Sequence, residues 1–79
     1  MTTREDGGRE HSPEYLELVR RCTVRRVLLG ESQRQLGARA GVCYARISSF
    51  ERLARVPTAE TLIQIVGAYG FKLALEEAE

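Results

Sequence analysis

The stretch SQRQLGARAGVCYARISSFER, residues 32–52, decides how this chain folds. Its apolar positions Leu36, Ala40, Val42, Ile47 and Phe50 lie on either side of a glycine, spaced for two short helices. Ser32 is a helix N-cap residue, and Gly41 tolerates the positive φ that ends a helix. The pattern predicts one helix from Gln33 to Ala40 and a second from about Tyr44 to Arg52. Val42 is then a buried link, and Cys43 occupies the second N-cap position. Where two helices cross closely, one residue must be small, and Gly37 fits that need. A glycine turn alone is weak evidence. Cap, small crossing residue, turn glycine and apolar contacts together spell a helix-turn-helix. The competing reading is a helical hairpin in some other all-α domain.

Working outward, Ser12-Pro13-Glu14 opens an upstream helix with a cap, a first-turn proline and an acid. Tyr15, Leu18, Val19, Cys22, Arg26 and Leu29 recur along it, with Leu16, Val24, Val27 and Leu28 filling in, until Gly30 closes it. Downstream, Val56-Pro57-Thr58 is a loop ending in a cap. A fourth helix follows from Ala59 to Tyr69, with Leu62, Ile63, Ile65, Val66 and Tyr69 mostly buried. Gly67 inside it is read as a point of close packing, and Gly70 as its end.

Beyond Gly70 the period changes. Phe71, Leu73 and Leu75 alternate with Lys72, Ala74 and Glu76, which is a strand signal. One strand of about six residues cannot complete its own ladder or bury its own face. The simplest partner is the same strand from a second copy, antiparallel about a two-fold axis. A short fifth helix or a frayed tail is the alternative. Residues 1–11 show no apolar periodicity and read as a disordered arm. The expected organisation is an arm at 1–11, a helical domain at 12–70, and a dimerisation strand with an acidic tail at 71–79.

Hydrophobic residues at 43% and charged residues at 29% place the chain among globular proteins, and 79 residues suffice for one small domain. No apolar run approaches the roughly 20 residues of a membrane span. The polar N-terminal stretch does not read as a signal peptide. Cys22 and Cys43, far apart in a Cys-poor chain, read as free thiols, which fits a cytoplasmic protein. With His11 they are too few and wrongly spaced for a metal site, and no cofactor is implied. Nor does the chain read as an enzyme, since its acids form no convergent pair and Cys43 has no nearby histidine to activate it.

The net charge is only +1, but it is unevenly spread. Between Leu18 and Val56 nine arginines face two glutamates, Glu31 and Glu51, for a local net of +7. Arginine is suited to phosphate and base-edge recognition, so a basic block with acidic flanks is a footprint for a polyanion. Composition alone leaves open a set of merely solvated helix faces.

The motifs S-Q-x-x-L-G-x-R-A-G-V at 32–42, I-S-x-F-E-R at 47–52 and P-T-x-E-T-L at 57–62 resemble the Cro/CI-type (xenobiotic-response-element family) helix-turn-helix. R-R-x-x-L-G at 25–30 fits the same pattern. The ending Y-G-F-K-L-A-L resembles a subset of that family, small antitoxins with a C-terminal strand pairing across a homodimer. The resemblance implies a mainly α domain of four to five helices with that strand, and a homodimer on a palindromic operator in double-stranded DNA. It implies that the second motif helix turns Cys43, Tyr44, Ala45, Arg46, Ser48 and Ser49 toward base edges. Ser32, Gln33, Arg34, Arg52 and Arg55 would meet phosphates, and Arg39 would add a contact or stay solvated. Arg26 and Glu51 would form a structural ion pair. The chain departs from the family at Tyr44 and Ala45, where readers capable of bidentate hydrogen bonding are common. The resemblance further implies a repressor of its own operon with a cognate toxin as partner. Two readings stand beside it, a phage-type or host regulator without a toxin, and an interaction module that no longer binds DNA.

Overall fold

Local capping chemistry draws the boundaries of four helices. The computed structural model describes residues 11–78, and all but the last residue of the expected arm lies outside them. The first helix, α1, runs Pro13–Leu28. Ser12 caps it by accepting from the Tyr15 N–H at 3.1 Å. The second, α2, is Gln33–Ala40 and opens with a full capping box. Ser32 Oγ accepts from the Gln35 N–H, and the Gln35 side chain accepts from the Ser32 N–H at 2.8 Å. Gly41 closes α2 at φ 73°, and the Val42 N–H reaches back to the Gly37 carbonyl at 2.9 Å.

The third helix, α3, spans Tyr44–Glu51, one residue short of expectation. Cys43 is its N-cap residue, yet its side chain makes no capping hydrogen bond. At the other end Leu53 takes the left-handed conformation, φ 59°, and the Ala54 N–H bonds back to the Ser49 carbonyl at 2.9 Å. The fourth helix, α4, spans Ala59–Ala68, with Thr58 as its cap.

Helices of eight residues are marginal alone, so packing must hold them. Val19 and Cys22 of α1, Leu36 of α2, Ile47 and Phe50 of α3, and Ile65, Val66 and Ala68 of α4 form the core with Val42 and Tyr69. Each large apolar side chain buried there contributes about 1.5–3 kcal/mol. The tightest point is where α2 meets α3. A Cβ on Gly37 would stand 2.5 Å from the Val42 carbonyl oxygen and 3.6 Å from the Tyr44 nitrogen.

Two sequence expectations for α4 fail. A Cβ on Gly67 would meet nothing within 4 Å, so this glycine does not mark close packing. Ile63 is 57% exposed, because the run Leu62–Val66 is longer than the face that α4 buries. On α1, Leu16, Val24, Val27 and Leu28 are exposed rather than core.

Phe71–Ala78 is neither helix nor strand, so the domain has four helices and no fifth among the described residues. Phe71 packs on the core, and the Arg25 guanidinium lies 4.2 Å over its ring. From Lys72 onward every described residue is exposed, and no backbone hydrogen bond within the chain ties the segment down among the described residues.

Candidate nucleic-acid interface

The inner face of α3 is fixed by a polar brace. Glu51 accepts from Arg26 Nε at 2.8 Å and Arg26 Nη2 at 2.9 Å, a bidentate pair. It also accepts from the Tyr69 hydroxyl at 2.8 Å and from the Gln33 side-chain amide at 3.0 Å. Donors from α1, from α2 and from just beyond α4 therefore meet on one carboxylate. The Glu51 side chain is only 5% exposed. Burial acts to raise its pKa, but hydrogen bonds from Arg26, Gln33 and Tyr69 outweigh that, and the carboxyl stays below its ordinary value. The Tyr69 hydroxyl is pushed up, by burial first and then by its bond to Glu51.

The Arg26–Glu51 pair is thus in place, and Gln33 has its side chain turned into it. Of the α2 groups expected at phosphates, Ser32 Oγ is occupied by its capping bond. The backbone N–H groups of Gln33 and Arg34 have no partner among the described residues. They form an open, partly positive helix end.

The outer face of α3 is different. Cys43, Tyr44, Ala45 and Arg46 are exposed, while Ser48 and Ser49 are half-buried. Ser48 Oγ accepts from Arg52 Nε at 3.2 Å, which holds Arg52 along the helix. Arg46, Ser49, Arg55 and Thr58 border an open groove of about 460 Å³ between α3 and the start of α4. Arg34 reaches across from α2, its guanidinium 4.2 Å from the Tyr44 ring centroid.

The nine arginines of the basic block now separate into groups. Arg20 pairs with Glu17, Arg26 with Glu51 and Arg39 with Glu31. Arg39 also donates to the Ala68 carbonyl, so it ties α2 to α4 and is not simply solvated. Arg21 and Arg25 lie over Phe71. Arg34, Arg46, Arg52 and Arg55 have no carboxylate partner among the described residues. All four are exposed, and they sit on α3, in the turn and loop that follow it, or against its first residue. That separation is invisible to composition, because it depends on which arginines the fold places beside acids.

Three of the contacts that sequence reasoning missed show why. Tyr69 reads as core, since a tyrosine in an apolar run carries no sign of its hydroxyl's partner. The Glu31–Arg39 pair spans a helix and its leading turn, outside the usual i, i+4 spacing. The Arg34–Tyr44 stack joins two helices, and only the crossing at Gly37 brings it within reach.

Both cysteines are free thiols. Burial pushes Cys22 up to about 11, which leaves it an inert core residue. No group of three or more metal-ligating side chains is found among the described residues, and no helix there is long and apolar enough to cross a membrane.

A fold of this kind, with a glycine turn between two short helices and an exposed second helix amid unpaired arginines, defines a helix-turn-helix protein. The chain belongs to the helix-turn-helix family HTH_3, the Cro/CI type, whose family model matches residues 24–75. That family comprises DNA-binding transcription regulators, and its domain is a regulatory rather than a catalytic one. No curated protein and no solved structure gives a significant match.

Proposed function

We propose that this protein is a sequence-specific repressor that binds a palindromic operator as a homodimer and represses its own operon in the manner of an antitoxin. The placement of the exposed Arg34, Arg46, Arg52 and Arg55 along α3 and at its two ends carries the DNA-binding part of this reading. Cys43, Tyr44, Ala45 and Ser49 face the bases, with Arg46 as the main source of affinity. The open N–H groups of Gln33 and Arg34 donate to a phosphate, assisted by Ser32. Gln33 keeps one amide hydrogen on Glu51 and offers the other to that phosphate.

Dimerisation rests on the C-terminal segment. Phe71 is anchored, whereas Leu73 and Leu75 are exposed, and Leu75 is fully so. Pairing this segment with its copy would complete the unpaired backbone and cover both leucines. Two recognition helices would then meet major grooves about 34 Å apart. A cognate toxin is the further partner of this reading. Without one, the same dimer serves as a phage-type or host regulator.

The test is a gel shift on duplex DNA from upstream of the protein's own gene, across a salt series. Wild type is expected to shift it with steep salt dependence, and Arg46→Ala is expected to weaken the shift. A wild-type protein that gives no salt-sensitive shift refutes the proposal. Deletion of residues 71–79 is expected to give a monomer by light scattering, and a truncated chain that remains dimeric excludes the strand.

A further inference from the structure

Tyr44 and Ala45, the first two residues of α3, lack a side chain able to make the bidentate bonds that discriminate bases strongly, and Arg46 beside them is assigned above to affinity. Tyr44 offers one hydroxyl and Ala45 only a methyl. We infer that Arg34, carried by α2, is the missing reader: held against the Tyr44 ring, it reads a guanine in each half-site. The inference rests on the DNA-binding reading above and deepens it.

Three observations converge on Arg34. The first is its place. Positions 34, 37 and 41 share one face of α2, and Gly37 presses that face onto the backbone of Val42 and Tyr44. An arginine one turn before Gly37 is thereby aimed at the first residue of α3. The second is its contact, a guanidinium 4.2 Å from the centre of the exposed Tyr44 ring. A cation over an aromatic face is attracted by the ring's electrons, and the contact restricts a side chain that would otherwise sweep freely. The Arg34 N–H groups have no hydrogen-bond partner among the described residues, and the guanidinium fork matches guanine O6 and N7.

The third is the absence of any other employment. Arg34 has no carboxylate or hydrogen-bond partner among the described residues. It stands in the first turn of α2, which holds no acid and where a positive charge opposes the helix dipole. Among the described residues its charge is engaged only by the Tyr44 ring, and its N–H groups are left for a partner outside the domain. Tyr44 then serves two ends, as the platform for Arg34 and as an apolar edge toward a neighbouring base.

The decisive comparison is lysine at position 34. It keeps the charge for a phosphate but forfeits the planar fork. Full-length wild type, Arg34→Lys, Arg34→Ala, Tyr44→Phe and Tyr44→Leu would each select duplexes from a randomised pool. Titrations across a salt series would follow on the selected sequences, with circular dichroism to confirm that every variant is folded.

Wild type is expected to select a G·C pair at one position per half-site, with replacement of that pair weakening binding about five- to hundredfold. Arg34→Lys is expected to lose that preference while keeping the salt slope. Tyr44→Phe, which retains the ring, should keep the preference, and Tyr44→Leu should lose it. The inference is overturned if Arg34→Lys keeps the wild-type preferences. It is equally overturned if Arg34→Ala weakens all sequences alike and lowers the salt slope by about one, the signature of a phosphate contact. Salt-sensitive but unselective wild-type binding also overturns it, while leaving DNA binding intact. A wild type that binds no duplex in a salt-sensitive way overturns both this inference and the proposed function.

Discussion

The two faces of α3 are built on opposite principles. On the inner face Ile47 and Phe50 are fully buried, and Glu51 is tied to three other parts of the fold. On the outer face Cys43, Ala45 and Arg46 are exposed and make no side-chain hydrogen bond among the described residues. The Tyr44 ring, exposed at 40%, lies against the Arg34 guanidinium. A single helix of eight residues thus divides its labour by face. Stability is concentrated where a partner is internal, and the surface that would meet DNA contributes little to holding the domain together.

The sharpest way to break this contrast is Glu51→Gln. It leaves the Arg26 charge without its counter-ion, and a loss of about 3–5 kcal/mol is expected in urea denaturation. In a domain this small each kcal/mol moves the thermal midpoint by about 4–8 °C, so the variant should be largely unfolded on mild warming. A loss under about 1 kcal/mol would show that the brace does not hold the inner face. The same group predicts a pH response. Its folded pKa is depressed, so its contribution is present above the ordinary glutamate range and is lost as pH falls through the folded value. Wild type should lose stability in that acid window, and Glu51→Gln should lose less. Cys22 runs the other way. Its pKa is raised to about 11, so its contribution holds below the ordinary thiol value and fades as pH rises toward 11.

Tyr69→Phe removes one donor and keeps the packing. About 1.5–3 kcal/mol is expected, the range for a hydrogen bond to a charged group. Gly37→Ala should cost about 1–3 kcal/mol, because the new methyl meets backbone and not a flexible side-chain end. It joins the two faces, since any shift it forces moves the first turn of α3. Operator affinity measured by anisotropy should fall along with stability. The smallest effect is expected at Ala45→Ser, an exposed change within about 0.5 kcal/mol of wild type. A larger loss of stability there would erase the distinction between the faces.

What could be read in the sequence follows how local each signal is. Ser12, Ser32 and Thr58 act within one helical turn, and each caps the helix expected of it. Gly41 is equally local, since its φ of 73° is one that glycine adopts without strain. Leu53 shares that left-handed conformation but gave no sign of it, because tertiary packing imposes it on a leucine. Gly67 carries no sequence sign of its open surroundings, because a glycine in a helix looks the same whether it meets a neighbour or solvent. The arginines were the least legible, since their roles depend on acids and rings up to tens of residues away. The alternation at Phe71–Leu75 is a strand signal, but a ladder needs a second strand, and none is found among the described residues.

The Glu51 brace also bears on the order of assembly. Its donors come from positions 26, 33 and 69, so it closes only after α1, α2 and the end of α4 have docked on α3. An interaction that forms this late is largely absent from the folding transition state, and its removal falls on the rate of escape from the native state. In stopped-flow measurements Tyr69→Phe should steepen the loss on the unfolding arm and leave refolding nearly unchanged. That outcome would make the brace a latch, setting how long the folded domain persists once made and not how fast it is made.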